Sequence, residues 1–286
     1  MLLIPAISQS TLAEAEQALM QSAKSLMMAD TLAHRQKAFE ELTIQFQQAL
    51  KIEHAFDHPF DSLKTVSILM APDSAFRIFS YQLYLDEDHY QYGGIIQKRE
   101  DPFNPVILTD RSDDALDLER DHFYIEDWYG AVYYSVKSFT KEGKTYYALF
   151  GFDAYQMFEN RKVADIMHFE GDEIVFGAPV FVDDHELVKK RLVVQYSADV
   201  SIKLNFDEDL QLIIFDNLIP MKSPYRAKKI ALVTDGSYRG YQLDQDGHWR
   251  YIDKIFHATL AEPPRDRPVL DAEADKDIFG KKKNRR

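Results

Sequence analysis

The sequence predicts a mainly β protein: an antiparallel meander that closes as a barrel, a sandwich or a propeller-like stack, preceded by an N-terminal helical arm. Three observations carry this expectation. From Thr65 onward the apolar residues recur at every second position in more than a dozen short runs, and each run ends at a turn signal. Nineteen Phe and sixteen Tyr accompany Val and Ile in those runs, the composition that pleated, half-buried surfaces favour. Helical crossovers of a dozen or more residues, which a parallel sheet needs, are missing.

The elements follow in order. MLLIPAISQS reads as the back half of a secretory signal, with Ala6-Ile7-Ser8 as a small-x-small cleavage site and Gln9 as the mature start. The competing reading is an ordinary hydrophobic N-terminus tucked against the fold. Residues 9–58 form the helical arm. Thr11-Leu-Ala-Glu14 is a capping box ahead of Leu12, Leu19, Ala23 and Leu26, and Asp30 offers a cap to a second helix whose Phe39, Leu42, Phe46 and Leu50 share one stripe. Met27 and Met28 belong with that packing.

Residues 59–258 form the β-rich body. AVYYSVKSF and KTYYALFGF, separated by Thr140-Lys-Glu-Gly143, make a hairpin, and residues 154–168 offer one place for a helix inside the body. Thr109–Asp121 is an acidic excursion between strand groups. Beyond the body, residues 259–286 read as a disordered acidic and basic tail, because proline and charge replace the apolar pattern.

Composition removes several classes of function. A net charge of −13 argues against nucleic acid, whose affinity comes from neutralising phosphates with Lys and Arg. The one basic run, Lys281–Lys283 with Arg285 and Arg286, is a solvated end on this reading. The absence of cysteine excludes disulfides, thiolate metal sites and a Cys nucleophile. No stretch of about eighteen apolar residues is present, so no transmembrane segment is expected. P-loops, serine elbows and dinucleotide glycine fingerprints are also missing.

The remaining polar clusters read as structure. In DGSYRGYQLDQDGHW (235–249), Asp244-Gln-Asp246-Gly247 lacks the further ligands of a calcium loop, so Asp246-Gly247 is a hairpin tip and Asp235-Gly236 a second turn. His54 and His58 have zinc spacing on a helix, but Pro59 disfavours helix through His58 and no third ligand is specified; neither metal nor cofactor is expected. The carboxylates at 86–88, 183–184 and 207–209 lie between strands, where turns are the default. Adjacent tyrosines such as Tyr133-Tyr134 and Tyr146-Tyr147 place one ring on each side of a strand, and the outward rings suit a sugar- or peptide-binding face.

PFDSLK (59–64), APDSAFRIFSYQL (71–83), WYGAVYY (128–134), YALFGFD (147–153), FGAPVF (176–181) and VTDGSYRGY (233–241) together resemble a family of bacterial proteins, mostly predicted to be exported, with no established activity. The resemblance covers most of residues 59–256 and implies export, in agreement with the N-terminus; it carries over no catalytic residue.

The expectation is therefore an exported, periplasmic protein with a non-catalytic binding or envelope-associated role and a glycan or an envelope protein as partner. A cytoplasmic location is the alternative to export. The alternative function is a hydrolase of glycan or peptidoglycan fragments using paired loop carboxylates, which would have to flank the scissile bond. Trp128, Tyr129, Asp153, Asp235 and Tyr238 are the expected ligand contacts, as aromatic faces and carboxylates at strand ends.

Overall fold

Alternation at period two puts successive side chains on opposite faces of a strand. In AFRIFSYQL both faces find an apolar partner, and that layering sets the architecture. The computed structural model describes residues 11–223 and 230–255; the expected signal remnant at 1–8, with its cleavage at Gln9, and the tail at 259–286 lie outside them. Two helices, α1 (Leu12–Met28) and α2 (Leu32–Ala49), form a hairpin. The first sheet has the order β1-β2-β3-β4: β1 (Ser67–Met70), β2 (Phe76–Asp86), β3 (His89–Lys98) and β4 (Val106–Thr109). The second, β11-β7-β6-β5, contains β5 (Val132–Lys141), β6 (Lys144–Gln156), β7 (Glu159–Glu170) and β11 (Arg191–Ser197), with β8 (Glu173–Phe176) on β7. The third runs β10-β9-β15-β14-β13-β12, from β9 (Phe181–Val182), β10 (Val188–Lys189), β12 (Leu204–Asp207), β13 (Leu212–Lys222), β14 (Ile230–Leu243) and β15 (Trp249–Ile252).

Three apolar cores cement these layers. Phe79, Tyr81 and Leu83 of β2 point to Leu19, Leu42 and Phe46 of the helices. Phe76 and Ile78, on the other face of the same strand, meet Leu149 and Val163 of the second sheet. Ala148 and Phe150 then face Ile213, Tyr241 and Trp249 of the third. The fold is mainly β, and among the described residues all strand pairs are antiparallel except β9 with β15. Among the described residues no sheet closes into a barrel; the sheets stack, and the helical hairpin packs on the first of them.

Local chemistry explains the element ends. The Thr11–Glu14 capping box is formed, with the Thr11 N–H donating to Glu14 Oε2 at 2.8 Å. Thr31, rather than Asp30, caps α2, because its hydroxyl accepts the His34 N–H. Glu142 and Gly143, with φ of 52° and 77°, form the two-residue turn between β5 and β6, the left-handed geometry that matches strand twist. His54 also sits in the left-handed region, outside any α-helix, and His58 Nε2 lies 2.6 Å from Glu16 Oε2, so these two histidines are not presented side by side. Buried Arg77 of β2 reaches the carbonyls of Ala55 and His58 and the side chain of Gln97, and this ties the chain after α2 to the first sheet.

Two sequence readings are corrected. Residues 154–168 are not helical: β6 and β7 pair across a two-residue loop at Met157-Phe158. Asp235-Gly236 is not a turn between strands but part of an irregularity inside β14, where the register steps from Asp216↔Tyr238 to Leu218↔Thr234; Gly236 takes φ +83° there. The Asp246-Gly247 tip is present, with Asp244 Oδ1 accepting the N–H groups of Asp246 and His248.

Candidate functional site

The β6–β7 hairpin that replaces the expected helix builds the site. Its register sets Asp153 opposite Arg161, and the next ladder sets Arg161 opposite Gln195 of β11. Residues directly opposite across a ladder project to the same face, so a carboxylate, a guanidinium and an amide stand in one row over three strands. Arg161 Nε donates to Gln195 Oε1 at 3.0 Å, and Gln195 Nε2 donates to Glu159 Oε2 at 2.8 Å. The ladder steps at Asp153/Gln156, and in that stretch the Tyr155 ring lies under the Arg161 guanidinium at 3.3 Å. The stacking and the Gln195 bond together fix the arginine.

The first sheet closes the back of this row. The Tyr92 hydroxyl on β3 donates to Asp153 Oδ1 at 2.8 Å and accepts the Ala154 N–H at 2.9 Å. Tyr129 donates its hydroxyl to Asp153 Oδ2. Below them Asp110 accepts the Tyr92 N–H at 2.7 Å and the Ser112 N–H at 3.0 Å, and the Ser112 hydroxyl accepts the Gly130 N–H. Gly130 is required where it stands, because a Cβ there would lie 2.5 Å from Tyr92. The result is a cleft of about 970 Å³ whose floor is Asp153, Tyr129, Tyr92 and Arg161 and whose rim carries Asp88, Asp113, Asp117 and Glu119.

Burial dominates the electrostatics of the floor. It raises the Asp153 carboxyl above its usual range, and the bonds from Tyr129 and Tyr92 with the nearby Arg161 charge offset only part of that. Asp110 is raised for the same first reason, against the bonds from Ser112 and Tyr92. Burial, followed by the Asp153 charge, pushes the Tyr92 and Tyr129 phenols well above their ordinary value, so both stay neutral donors. The floor holds fixed hydrogen-bonding groups; its buried carboxylate already accepts on both oxygens.

This gives a pH prediction with a definite sign. A carboxyl whose folded pKa is raised holds more protons folded than unfolded, so its contribution to stability is full below the unfolded value of about 3.9 and is lost as pH rises through the folded value. In urea titrations at a series of pH values, the stability of the wild type minus that of Asp153→Asn should fall from about pH 4 upward and then level off. A flat or rising difference would show that the carboxyl is not raised.

Of the expected contacts, Tyr129 and Asp153 meet in the cleft and are bonded to each other. Trp128 does not reach it: the ring is fully buried and donates through Nε1 to the Tyr133 hydroxyl at 3.1 Å. Asp235 and Tyr238 lie on β14 of the third sheet, away from the cleft lining; Asp235 accepts from Asn217 and Ser237. Arg161 and Gln195 line the cleft but are not among the expected contacts. Their signal was the hairpin register, which the helical reading of 154–168 concealed. Among the described residues no three His, Asp or Glu side chains converge as a metal cage, and no helix is long and apolar enough to cross a membrane.

Fold and cleft together define a stacked-sheet β protein with a polar, acid-rimmed site. No family model matches the chain, and no match was found among curated proteins or among solved structures.

Proposed function

We propose that this is a non-catalytic, exported or envelope-associated binding protein whose cleft takes a small polar ligand carrying hydroxyl and amine groups, of the amino-sugar class. The observation that carries this is the Asp153 floor. A general acid or base needs a free proton site facing its substrate, whereas Asp153 is buried and held by two neutral phenols. Such a floor favours holding a ligand over turning it over, and for that reason the hydrolase reading is second. The ligand class follows from the lining: the Tyr155 face not covered by Arg161 suits stacking, the Arg161 guanidinium has further N–H groups to donate, and of the rim carboxylates Asp88 and Asp113, unlike Asp117 with Arg120 and Glu119 with Lys189, have no Lys or Arg partner among the described residues and favour an amine. For export the reading rests on Ala6-Ile7-Ser8 as a small-x-small site after the apolar residues 2–4.

Calorimetric titration with glucosamine oligomers and their N-acetylated counterparts tests the reading. Saturable binding that prefers the free amine, weakened about tenfold or more by Asp113→Asn with Tyr155→Ala, is the expected result. No saturable binding would refute it, and cleavage of the oligomers would replace it with the hydrolase.

A further inference from the structure

A second hollow, of about 400 Å³, lies on the other side of β11 from its bonded neighbour β7. Its lining includes Leu192, Val193, Val194 and Gln195, four successive residues of one strand. Neighbouring side chains in a strand point to opposite faces, so four in a row can border one hollow only if it meets the strand edge-on. The cores agree: Leu192 and Val194 pack with the third sheet, while Val193 packs against the first core. β11 is the last strand of its sheet, and among the described residues no strand bonds to that edge. From Leu192 to Tyr196 it carries no proline or lysine, residues that commonly blunt an exposed edge.

The opposite wall is apolar and aromatic, with Leu218, Leu232, Tyr241 and Tyr251. Its charges do not balance. Lys189 is paired with Glu119 at 2.9 Å and Arg239 with Asp253 at 3.6 Å, so the two cations of the lining are matched. Of the other carboxylates in the lining, Asp216 accepts the Lys203 N–H and the Thr234 hydroxyl, whereas Asp183 and Asp184 have no Lys or Arg partner among the described residues, Asp184 lying 3.8 Å from His185 Nε2, in a chain of net charge −13.

We propose that β11 is a strand-addition site for an extended basic peptide segment of a partner protein. Main-chain bonds to the free edge would supply affinity, alternate apolar side chains would enter between Val194 and Leu232, and basic side chains would meet Asp183 and Asp184. This surface is separate in its test from the amino-sugar cleft, although the two share Glu119, Val193 and Gln195 at their border.

The probe is a labelled peptide of alternating lysine and valine, titrated against the full chain by fluorescence anisotropy. Three comparisons decide. The same peptide N-methylated at alternate residues on either edge keeps its charge but cannot pair, an alternating glutamate-valine peptide keeps strand propensity but reverses charge, and Leu232→Trp fills the hollow from an exposed position that does not line the cleft. Each change should weaken binding about tenfold or more. Leu232→Trp should leave amino-sugar binding intact, and Tyr155→Ala should leave peptide binding intact. Equal affinity for the N-methylated or the glutamate peptide, binding unaffected by Leu232→Trp, or no saturable binding would overturn the proposal.

Discussion

Arg191→Met is expected to lower the stability of the chain by about 3–5 kcal/mol, the cost of leaving a buried charge without its partner. Asp165 and Arg191 are both fully buried and directly opposite each other on β7 and β11, with Nε 2.8 Å from Oδ1. The N–H direction misses the carboxylate, so Arg191 Nε and Nη2 and Asp165 Oδ1 have no hydrogen-bond partner, and the attraction is Coulombic. The other bonds run outward: Arg191 Nη1 donates to the Leu118 carbonyl, and Tyr133 donates to Asp165 Oδ2 at 3.2 Å.

That geometry decides what the double change should do. A buried pair offsets its desolvation only when its hydrogen bonds are complete, and this one leaves three atoms unpaired. Asp165→Asn combined with Arg191→Met should therefore recover more than half of the loss seen in Arg191→Met alone. Urea denaturation of the four members of the cycle measures this. If the double variant is as unstable as the sum of the single ones, the pair contributes through shape and not through charge. Leu118 lies in the segment that lines the cleft, and Glu119 beside it accepts the Lys190 N–H at 2.7 Å. The single variant should accordingly speed amide exchange at Lys190 more than in the β5–β6 ladder, which links the buried ion pair to the order of the cleft rim.

What could be read in the sequence was what depends on neighbours along the chain. The capping box at Thr11, the two helical stripes, the hairpin at Gly143 and the alternation of β2 all follow from local spacing, and they place the helices and most strands. Tyr133 and Tyr134 behave as the alternation requires, one fully buried and the other 36% exposed. The failures share a physical cause. Residues 154–168 contain no glycine or proline, and the two-residue loop at Met157-Phe158 gives no composition signal, so the hairpin that puts Arg161 beside Asp153 was hidden. Gly236 adopts a positive φ within a strand, where the same residue that marks a turn marks a bulge instead. The meeting of Tyr92, Tyr129 and Asp153 depends on how two sheets stack, which no local pattern records.

Trp128 shows most sharply how position along the chain misleads about role. Placed just before a strand and followed by Tyr129-Gly130, it suggests an exposed aromatic contact; in the fold both sheets close over it. Its ring rests on Gly94 of β3, where an added Cβ would come within 2.9 Å of it, and it packs beside Tyr133 and Phe176. Trp128→Ala is therefore expected to cost about 3–5 kcal/mol, because the cavity between two sheets cannot collapse without moving both. Trp128→Phe keeps most of the volume but leaves the Tyr133 hydroxyl without the Nε1–H bond, for a cost of about 1–2 kcal/mol. The Phe variant is the informative one for function. It should bind cleft ligands with unchanged affinity, since Tyr129, next in the chain, already forms the floor. Both tryptophans of the chain, Trp128 and Trp249, are buried, so native emission should be blue-shifted and should not respond to ligand. A ligand-induced shift that disappears in Trp128→Phe would restore Trp128 as a contact and require the sheets to open over it.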